Sequence, residues 1–246
     1  MDSSAIRSTV AANLDRVMEM IAGAAGRRGI EAETIKLICV TKYAEDEWVE
    51  ALLASGATDL GENLLPKGAD RFDRLRAGGA VFNRHLIGAP QSRKVKLIPG
   101  HFDLVQAVDR LKIAEMLNGC CKVAGLSQEI LLQVNIAGEE QKHGVDPADA
   151  PEAAAWIVEN CPQLALRGLM AVPPWPNAYG SAGEYERETR KYFTLMKELF
   201  DKISGSIPSA KGMDTLSLGM SQDFAWAIEE GATMVRVGSL LYEGLQ

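Results

Sequence analysis

Lys42 directly follows the apolar run Leu37-Ile-Cys-Val40 and Thr41. If that run is a buried strand, the lysine projects into a cavity rather than into bulk water. A desolvated amine has a lowered pKa and becomes a nucleophile toward aldehydes. The plainer reading is a shorter strand and an exposed loop lysine. Near the other end of the chain, Ser217-Leu-Gly-Met-Ser221 and Gly238-Ser239 place small residues and hydroxyls close together. Glycine lets a ligand approach backbone N–H groups, and serine adds a donor, so the pattern suits an anion such as phosphate. Its plainer reading is that glycines simply end strands. Arg236, flanked by Val235 and Val237, would stand beside that cradle rather than in a surface ion pair. A reactive amine, an anion cradle and an arginine together suit a phosphorylated aldehyde. Two chemistries fit: a Schiff-base aldolase acting on a sugar phosphate, and a protein that holds pyridoxal 5′-phosphate (PLP).

The elements that must position these residues follow a regular rhythm. Eight apolar runs of strand length, Leu37–Thr41, Thr58–Gly61, His85–Gly88, Leu104–Val108, Ile130–Ile136, Leu166–Val172, Thr215–Gly219 and Met234–Gly238, alternate with stretches of helical period. Such alternation implies a parallel sheet, and eight units in about 250 residues match a single-domain (β/α)8 TIM barrel over 1–246. Ile6, Val10, Leu14, Val17 and Ile21 line one face of an additional N-terminal helix within 1–30, packed on the barrel and ended by the glycines around Gly26 and Gly29. Asp149 with Glu152 forms a capping-box pattern, Asp109 is placed to cap Arg110–Cys121, and Ser221 is placed to cap Gln222–Glu230. The proline-rich 172–177 reads as part of a long mouth loop over 173–183 rather than a linker, because the rhythm continues across it. In a barrel of this class the site lies at the C-terminal strand ends, where Lys42, Asn63, Met170, Ser217 and Arg236 all fall.

Composition narrows the alternatives. A net charge of −7 argues against nucleic acid, which is met by a basic face. No stretch approaches the roughly 20 apolar residues of a membrane span, and Asp15, Arg16 and Glu19 break up any leader, so the chain reads as cytoplasmic. Cys39, Cys120, Cys121 and Cys161 form no C-x-x-C pair or zinc spacing and read as reduced thiols, with no metal expected. His85, His101 and His143 are far apart, and each reads as structural by default.

With these residues in view, the chain resembles the PLP homeostasis protein family, related to the N-terminal barrel of alanine racemase. The marks are Val40-Thr-Lys42, Asp59-Leu-Gly-Glu-Asn63, His85-Leu-Ile-Gly88 with Gln91 and Lys94, Ala107-Val-Asp-Arg-Leu111, Gln133-Val-Asn-Ile136 with Glu139, Lys142 and Gly144, Leu166-Arg-Gly-Leu-Met170, Leu216-Ser-Leu-Gly-Met-Ser221 and Met234-Val-Arg-Val-Gly238. They occur in order over nearly the whole chain, and their combination is far more specific than any one alone. The resemblance implies PLP as cofactor, with Lys42 as its Schiff-base lysine. It places Ser217, Gly238 and Ser239 at the phosphate, Arg236 at the pyridine nitrogen, and Asn63 and Met170 around the ring. It implies a role in PLP homeostasis, with release to apo forms of PLP-dependent enzymes. The pattern departs at Thr41, where family members usually have serine, and at Glu45, usually proline. It departs again at Arg84, Pro90 and Arg93 around the third strand, and at Tyr242-Glu243, usually Phe-Gly. Pro90 is then expected to start the helix after Gly88.

The alternative reading is a racemase-like enzyme. Racemisation needs acid–base groups on both faces of the substrate α-carbon. In alanine racemase a second, β-rich domain supplies a tyrosine, and the chain ending at Gln246 is expected to have no room for it. Tyr43, Tyr179 and Tyr185 are the tyrosines near the mouth. An arginine at the ring nitrogen donates but does not accept, so the nitrogen stays unprotonated and electron withdrawal weakens. Storage rather than strong carbanion chemistry is the expectation.

Overall fold

All eight apolar runs form strands, and each pairs in parallel with the next. They are β1 (Lys36–Val40), β2 (Asp59–Glu62), β3 (Asn83–Leu86), β4 (Leu104–Val108), β5 (Gln128–Val134), β6 (Leu164–Ala171), β7 (Thr215–Ser217) and β8 (Met234–Val237). Pairing of β1 with β8 closes the barrel. The structure, a computed structural model, describes residues 2–139, 143–207 and 212–245; Lys142, one of the resemblance marks, lies outside them. Among the described residues no helix is long and apolar enough to cross a membrane.

Alternation along each strand sorts side chains into two cores. The larger core lies between strands and helices and takes Cys39, Leu60, Leu86 and Val105. The smaller fills the barrel with Ile38, Leu104, Leu131, Met170 and Met234. The inner space is not wholly apolar. His85, Gln106, Ser217 and Arg236 are also buried in these strands, a feature taken up below.

The helices are α1 (Ser3–Arg28), α2 (Asp46–Ala54), α3 (Lys67–Ala77), α4 (Leu111–Ala124), α5 (Ala150–Asn160), α6 (Ala182–Ser206) and α7 (Phe224–Glu229). Helix α1 ends at Gly29, whose left-handed φ of 76° lets its N–H reach back to the last turn. Two strands are followed by 3₁₀ turns instead of α-helices, Ser92–Leu97 after β3 and Ser239–Tyr242 after β8. Pro90 therefore opens no α-helix. The short turn after β8 leaves a gap in the outer ring, and α1 fills it by packing on α7, α2 and that turn. Asn13 fixes the contact by donating to the carbonyls of Leu241 (3.2 Å) and Glu243 (2.9 Å). The N-terminal helix thus completes the ring rather than adding to it.

None of the three expected caps makes a side-chain capping bond, and two of them have other partners. Helix α4 starts at Leu111 behind Arg110, and the Asp109 carboxylate instead binds Arg110 at 2.7 Å and His143 at 2.9 Å. Helix α7 starts behind Asp223, and the Ser221 hydroxyl accepts from the Gly238 N–H at 3.1 Å. Asp149 precedes α5 without a side-chain capping bond. The departure at Arg84 is also accommodated, since its guanidinium pairs with Asp103 at 3.0 Å and donates to the Gly100 carbonyl at 2.8 Å.

Register shifts once between β5 and β6, where Ile130 faces Leu166 but Leu131 faces Gly168. Gly168 takes φ 154°, and a Cβ there would lie 1.7 Å from the Thr215 carbonyl oxygen of β7. Only glycine allows β7 to pair so closely beside the bulge. Gly168→Ala is expected to cost about 3–5 kcal/mol, combining backbone strain with overpacking, in equilibrium denaturant unfolding. A loss below about 1 kcal/mol would mean that β7 moves aside freely.

Candidate functional site at the C-terminal mouth

Strand β1 delivers Lys42 to the rim. Ile38 lies inside the barrel and Cys39 outside, and the chain turns immediately after Thr41. Lys42 is half-buried, with its ammonium 4.9 Å from the centre of the exposed Tyr43 ring. Among the described residues the ammonium has no hydrogen-bond or ion-pair partner.

The turn that carries Lys42 is clamped from below. Arg71 of α3, 7% exposed, donates to the carbonyls of Thr41 (2.7 Å) and Ala44 (2.8 Å), so it grips both sides of Lys42. Its charge is met by Glu62 at 2.9 Å and Asp46 at 2.8 Å. Thr41 adds a hydroxyl bond to Glu62 at 2.8 Å. The serine-to-threonine departure therefore keeps the hydroxyl in use.

Strands β6, β7 and β8 bring Arg236, Ser217 and Met170 together. Arg236 donates through Nη1 to Ser217 Oγ at 2.6 Å and through Nη2 to the Ala171 carbonyl at 3.1 Å. Ser217 in turn donates to Gln106 Oε1 at 2.8 Å. Its hydroxyl is wholly buried between the two, so it serves Arg236 directly and offers no free donor to an anion. Burial lowers the Arg236 pKa to about 10 against the opposing pull of Asp223, leaving the guanidinium charged at neutrality. Met170 is buried beside it, opposite Ser217 in the β6–β7 register.

The β7 and β8 ends form the expected small-residue cradle. Gly238 packs against Val40 of β1, Ser239 is exposed, and the Ser221 hydroxyl occupies the Gly238 N–H. That hydroxyl stands where an anion oxygen would bind. Asn63 follows β2 with its side-chain oxygen buried and unpartnered, as are those of Gln133 and Asn135 at the β5 end. Unmet buried polar atoms of this kind need a ligand or water. The donor set and these open groups fit PLP, which carries a phosphate, a ring nitrogen and an aldehyde.

The tyrosines do not assemble into a second acid–base group. Tyr185 donates to Asp223 at 2.6 Å, and burial together with that bond pushes its pKa far above the usual phenol value. Burial also raises Tyr179, while Tyr43 points to solvent with 81% of its surface exposed. Of the cysteines, Cys39 is pushed up to about 12 by burial and by nearby Asp59, which makes its thiol unreactive.

Sequence reasoning missed the roles of Arg71, Glu62 and Gln106, while Ser221 already stood in the expected small-residue cradle. Gln106 had a legible signal, a polar residue inside the run Leu104–Val108, and Glu62 lay beside the motif residue Asn63. Arg71 carried none, since a helical arginine is ordinarily a surface residue. His85 proves to be deeply buried, between Asp59 and Gln106.

A family model described as alanine racemase, N-terminal domain, matches residues 7–246. A protein of Haemophilus influenzae named pyridoxal phosphate homeostasis protein is 36% identical over 231 residues, covering 94% of this chain and 93% of that protein. PipY of Synechococcus elongatus, solved with PLP bound, superposes with a TM-score of 0.78 at 27% identity, covering 95% of this chain and 99% of PipY. Alanine racemase of Clostridium difficile superposes with a TM-score of 0.70 at 16% identity, a likeness of fold; the match covers 96% of this chain but 56% of the racemase.

Two outcomes test the geometry. Arg71→Met is expected to destabilise the protein by about 3–5 kcal/mol, because Glu62 is left buried and unpaired. The double variant Arg71→Met/Glu62→Gln should recover most of that loss in denaturant unfolding; equal losses would mean that the pair is not its source. For Asp59, burial opposes ionisation, but bonds from His85 and Thr58 prevail and hold its pKa down at about 2. A depressed carboxylate contributes stability above its unfolded pKa of about 4, about 2 kcal/mol here, and loses it as pH falls through 2. The stability gap between wild type and Asp59→Asn should therefore narrow from pH 5 downward, and a pH-independent gap would refute the assignment.

Proposed function

This chain belongs to the pyridoxal phosphate homeostasis protein family, and from that premise we propose that it holds PLP at the C-terminal mouth, with Lys42 as the Schiff-base lysine, and releases it to apo forms of PLP-dependent enzymes. The observation that carries this reading is the buried, anchored Arg236 beside a cradle of small residues, with a half-buried, unpartnered Lys42 ammonium at the same mouth. When bound, PLP supplies an aldehyde that condenses with an amine and a ring that withdraws electrons through its nitrogen.

The residues of the chain divide the work. Lys42 would hold the cofactor through its amine, in a bond whose formation releases one water and whose hydrolysis consumes one. The Arg71 clamp holds the Lys42 turn against the rim. Gly238, Ser239 and Ser221 receive the phosphate, with Ser221 yielding the Gly238 N–H to a phosphate oxygen. Ser217 contributes through Arg236, while Asn63 and Met170 line the pocket around the ring. Arg236 donates to the ring nitrogen and has no lone pair with which to accept, so that nitrogen stays unprotonated and the ring remains a poor electron sink.

This division favours storage over racemisation. Racemisation needs a second acid–base group, and Tyr185 is tied to Asp223 with its proton held tightly. Free aldehydes modify stray amines, and a reversible bond to one sheltered lysine keeps PLP available without that damage.

Purified protein mixed with PLP is expected to develop a visible absorption band that borohydride reduction fixes onto the Lys42 peptide. Lys42→Ala should show no band and bind PLP at least about tenfold more weakly, having lost the covalent link. Loaded wild type should restore activity to an apo-enzyme. Label scattered over surface lysines, or full-strength binding by Lys42→Ala, would refute the role given to Lys42, and an apo-enzyme that gains no activity would refute the carrier role.

A further inference from the structure

A single file of buried hydrogen bonds crosses the barrel interior and ends on Arg236. Arg236 Nη1 donates to Ser217 Oγ (2.6 Å), and Ser217 donates to Gln106 Oε1 (2.8 Å). Gln106 Nε2 then meets His85 Nδ1 (3.2 Å), and His85 Nε2 meets Asp59 Oδ1 (2.9 Å). Each of the five residues is at most 5% exposed. Bonding rules fix the direction of this file. An amide nitrogen only donates, so His85 Nδ1 must accept and carries no proton. Nε2 then holds the single imidazole proton and gives its bond to the Asp59 carboxylate.

The opposite direction has the same shape and differs by one proton. Turning the Gln106 amide over would present its oxygen to a protonated Nδ1 and its NH2 to Ser217. Ser217 would then accept from both Gln106 and Arg236, and its own hydrogen would need a new acceptor. A buried donor without a partner costs enough to disfavour that arrangement. The His85 tautomer therefore sets the amide, and the amide sets where the Ser217 hydrogen goes; Ser217 accepts from Arg236 in either direction, but only the observed one gives its own hydrogen a partner and so fixes the hydroxyl.

We propose that His85 and Gln106 are positioning residues for Arg236: Gln106, oriented by His85, takes the Ser217 hydrogen bond, which fixes the hydroxyl where it accepts from the guanidinium and leaves the other guanidinium donors aimed at a ligand. This rests on the PLP reading for its ligand, since the acceptor served would be the ring nitrogen. Asp59 on β2 is itself bonded by Asn83 of β3 (3.0 Å) and lies 3.6 Å from Lys36 of β1. A cavity of about 400 Å³ at the N-terminal end of the barrel reaches His85 and is lined by Asp103, Glu129, Arg167 and Asp214. Arg167 pairs with Asp214 at 2.6 Å.

The test uses the whole chain, 15N-labelled, without and with PLP. Unloaded wild type should show His85 with an unprotonated Nδ1 and a protonated Nε2 at neutral pH, and separate, slowly exchanging Arg236 guanidinium N–H signals. Gln106→Glu keeps the volume and the acceptor for Ser217 but cannot donate to His85. In that variant the bond to His85 persists only with a proton on Nδ1, which reads out the direction of the file. Gln106→Met, neutral and of similar length, leaves the Ser217 hydrogen without an acceptor, so the Arg236 signals should merge or broaden and PLP affinity should fall about tenfold, the loss of one charge-assisted bond. A purely structural role predicts lower stability of Gln106→Met with unchanged Arg236 signals and PLP affinity within about twofold of wild type, and that result overturns the proposal. So does a wild-type His85 protonated at Nδ1. Failure of wild type to bind PLP would instead defeat the ligand reading, while the unloaded spectra still decide whether the chain positions Arg236.

Discussion

A guanidinium sealed inside a barrel must be met by acceptors on every side that water no longer reaches. Arg236 sits in that position, and much of the inner architecture answers to it. The Ala171 carbonyl takes one arm and Ser217 the other. Ser217 gives its own hydrogen to Gln106, and the Gln106 amide gives one of its hydrogens to His85. Asp59 ends the file, and the carboxylate of Asp223 opposes the cost of burying Arg236. Apolar side chains would fill the same space at lower electrostatic cost. Retaining five polar residues there is intelligible if the positive charge has a use at the mouth.

The two polar assemblies at the mouth work on different parts of the site. The inner file fixes a donor on β8, whereas the Arg71–Glu62 pair on the outer side fixes the backbone around Lys42. One fixes where a buried positive charge points, the other fixes where an amine can reach. Both are built on strands and helices and not on the mouth loops, which suits groups that must be held to within a fraction of an ångström.

Much of this was legible in the sequence, for identifiable reasons. A charged residue that ends or interrupts a strand-length apolar run must point into the barrel or its mouth, which singles out Lys42 and Arg236. Apolar runs of strand length, alternating with stretches of helical period, mark all eight strands to within a few positions. Gln106 obeys the same logic, yet its partners His85 and Ser217 lie 21 and 111 residues away, and nothing local marks an amide as the middle of a chain. Helix starts at Asp109 and Ser221 are misread because a short polar residue caps only when no stronger partner claims it; here His143, Arg110 and the Gly238 N–H do. Ser217 is read as an anion anchor from its neighbours alone, and only the closed barrel reveals that its hydroxyl is already engaged.

The place of α1 in the outer ring has a consequence for how the molecule comes into being. Its apolar face is made long before two of its main partners, α7 and the turn after β8. Asn13 waits for carbonyls that are 228 and 230 residues away. Until those segments are made, α2 covers only part of the helix, and β1 likewise lacks its β8 neighbour. Contacts of such long sequence separation slow folding and leave sticky intermediates exposed. The same late segments complete both the outer ring and the barrel, so the two close together.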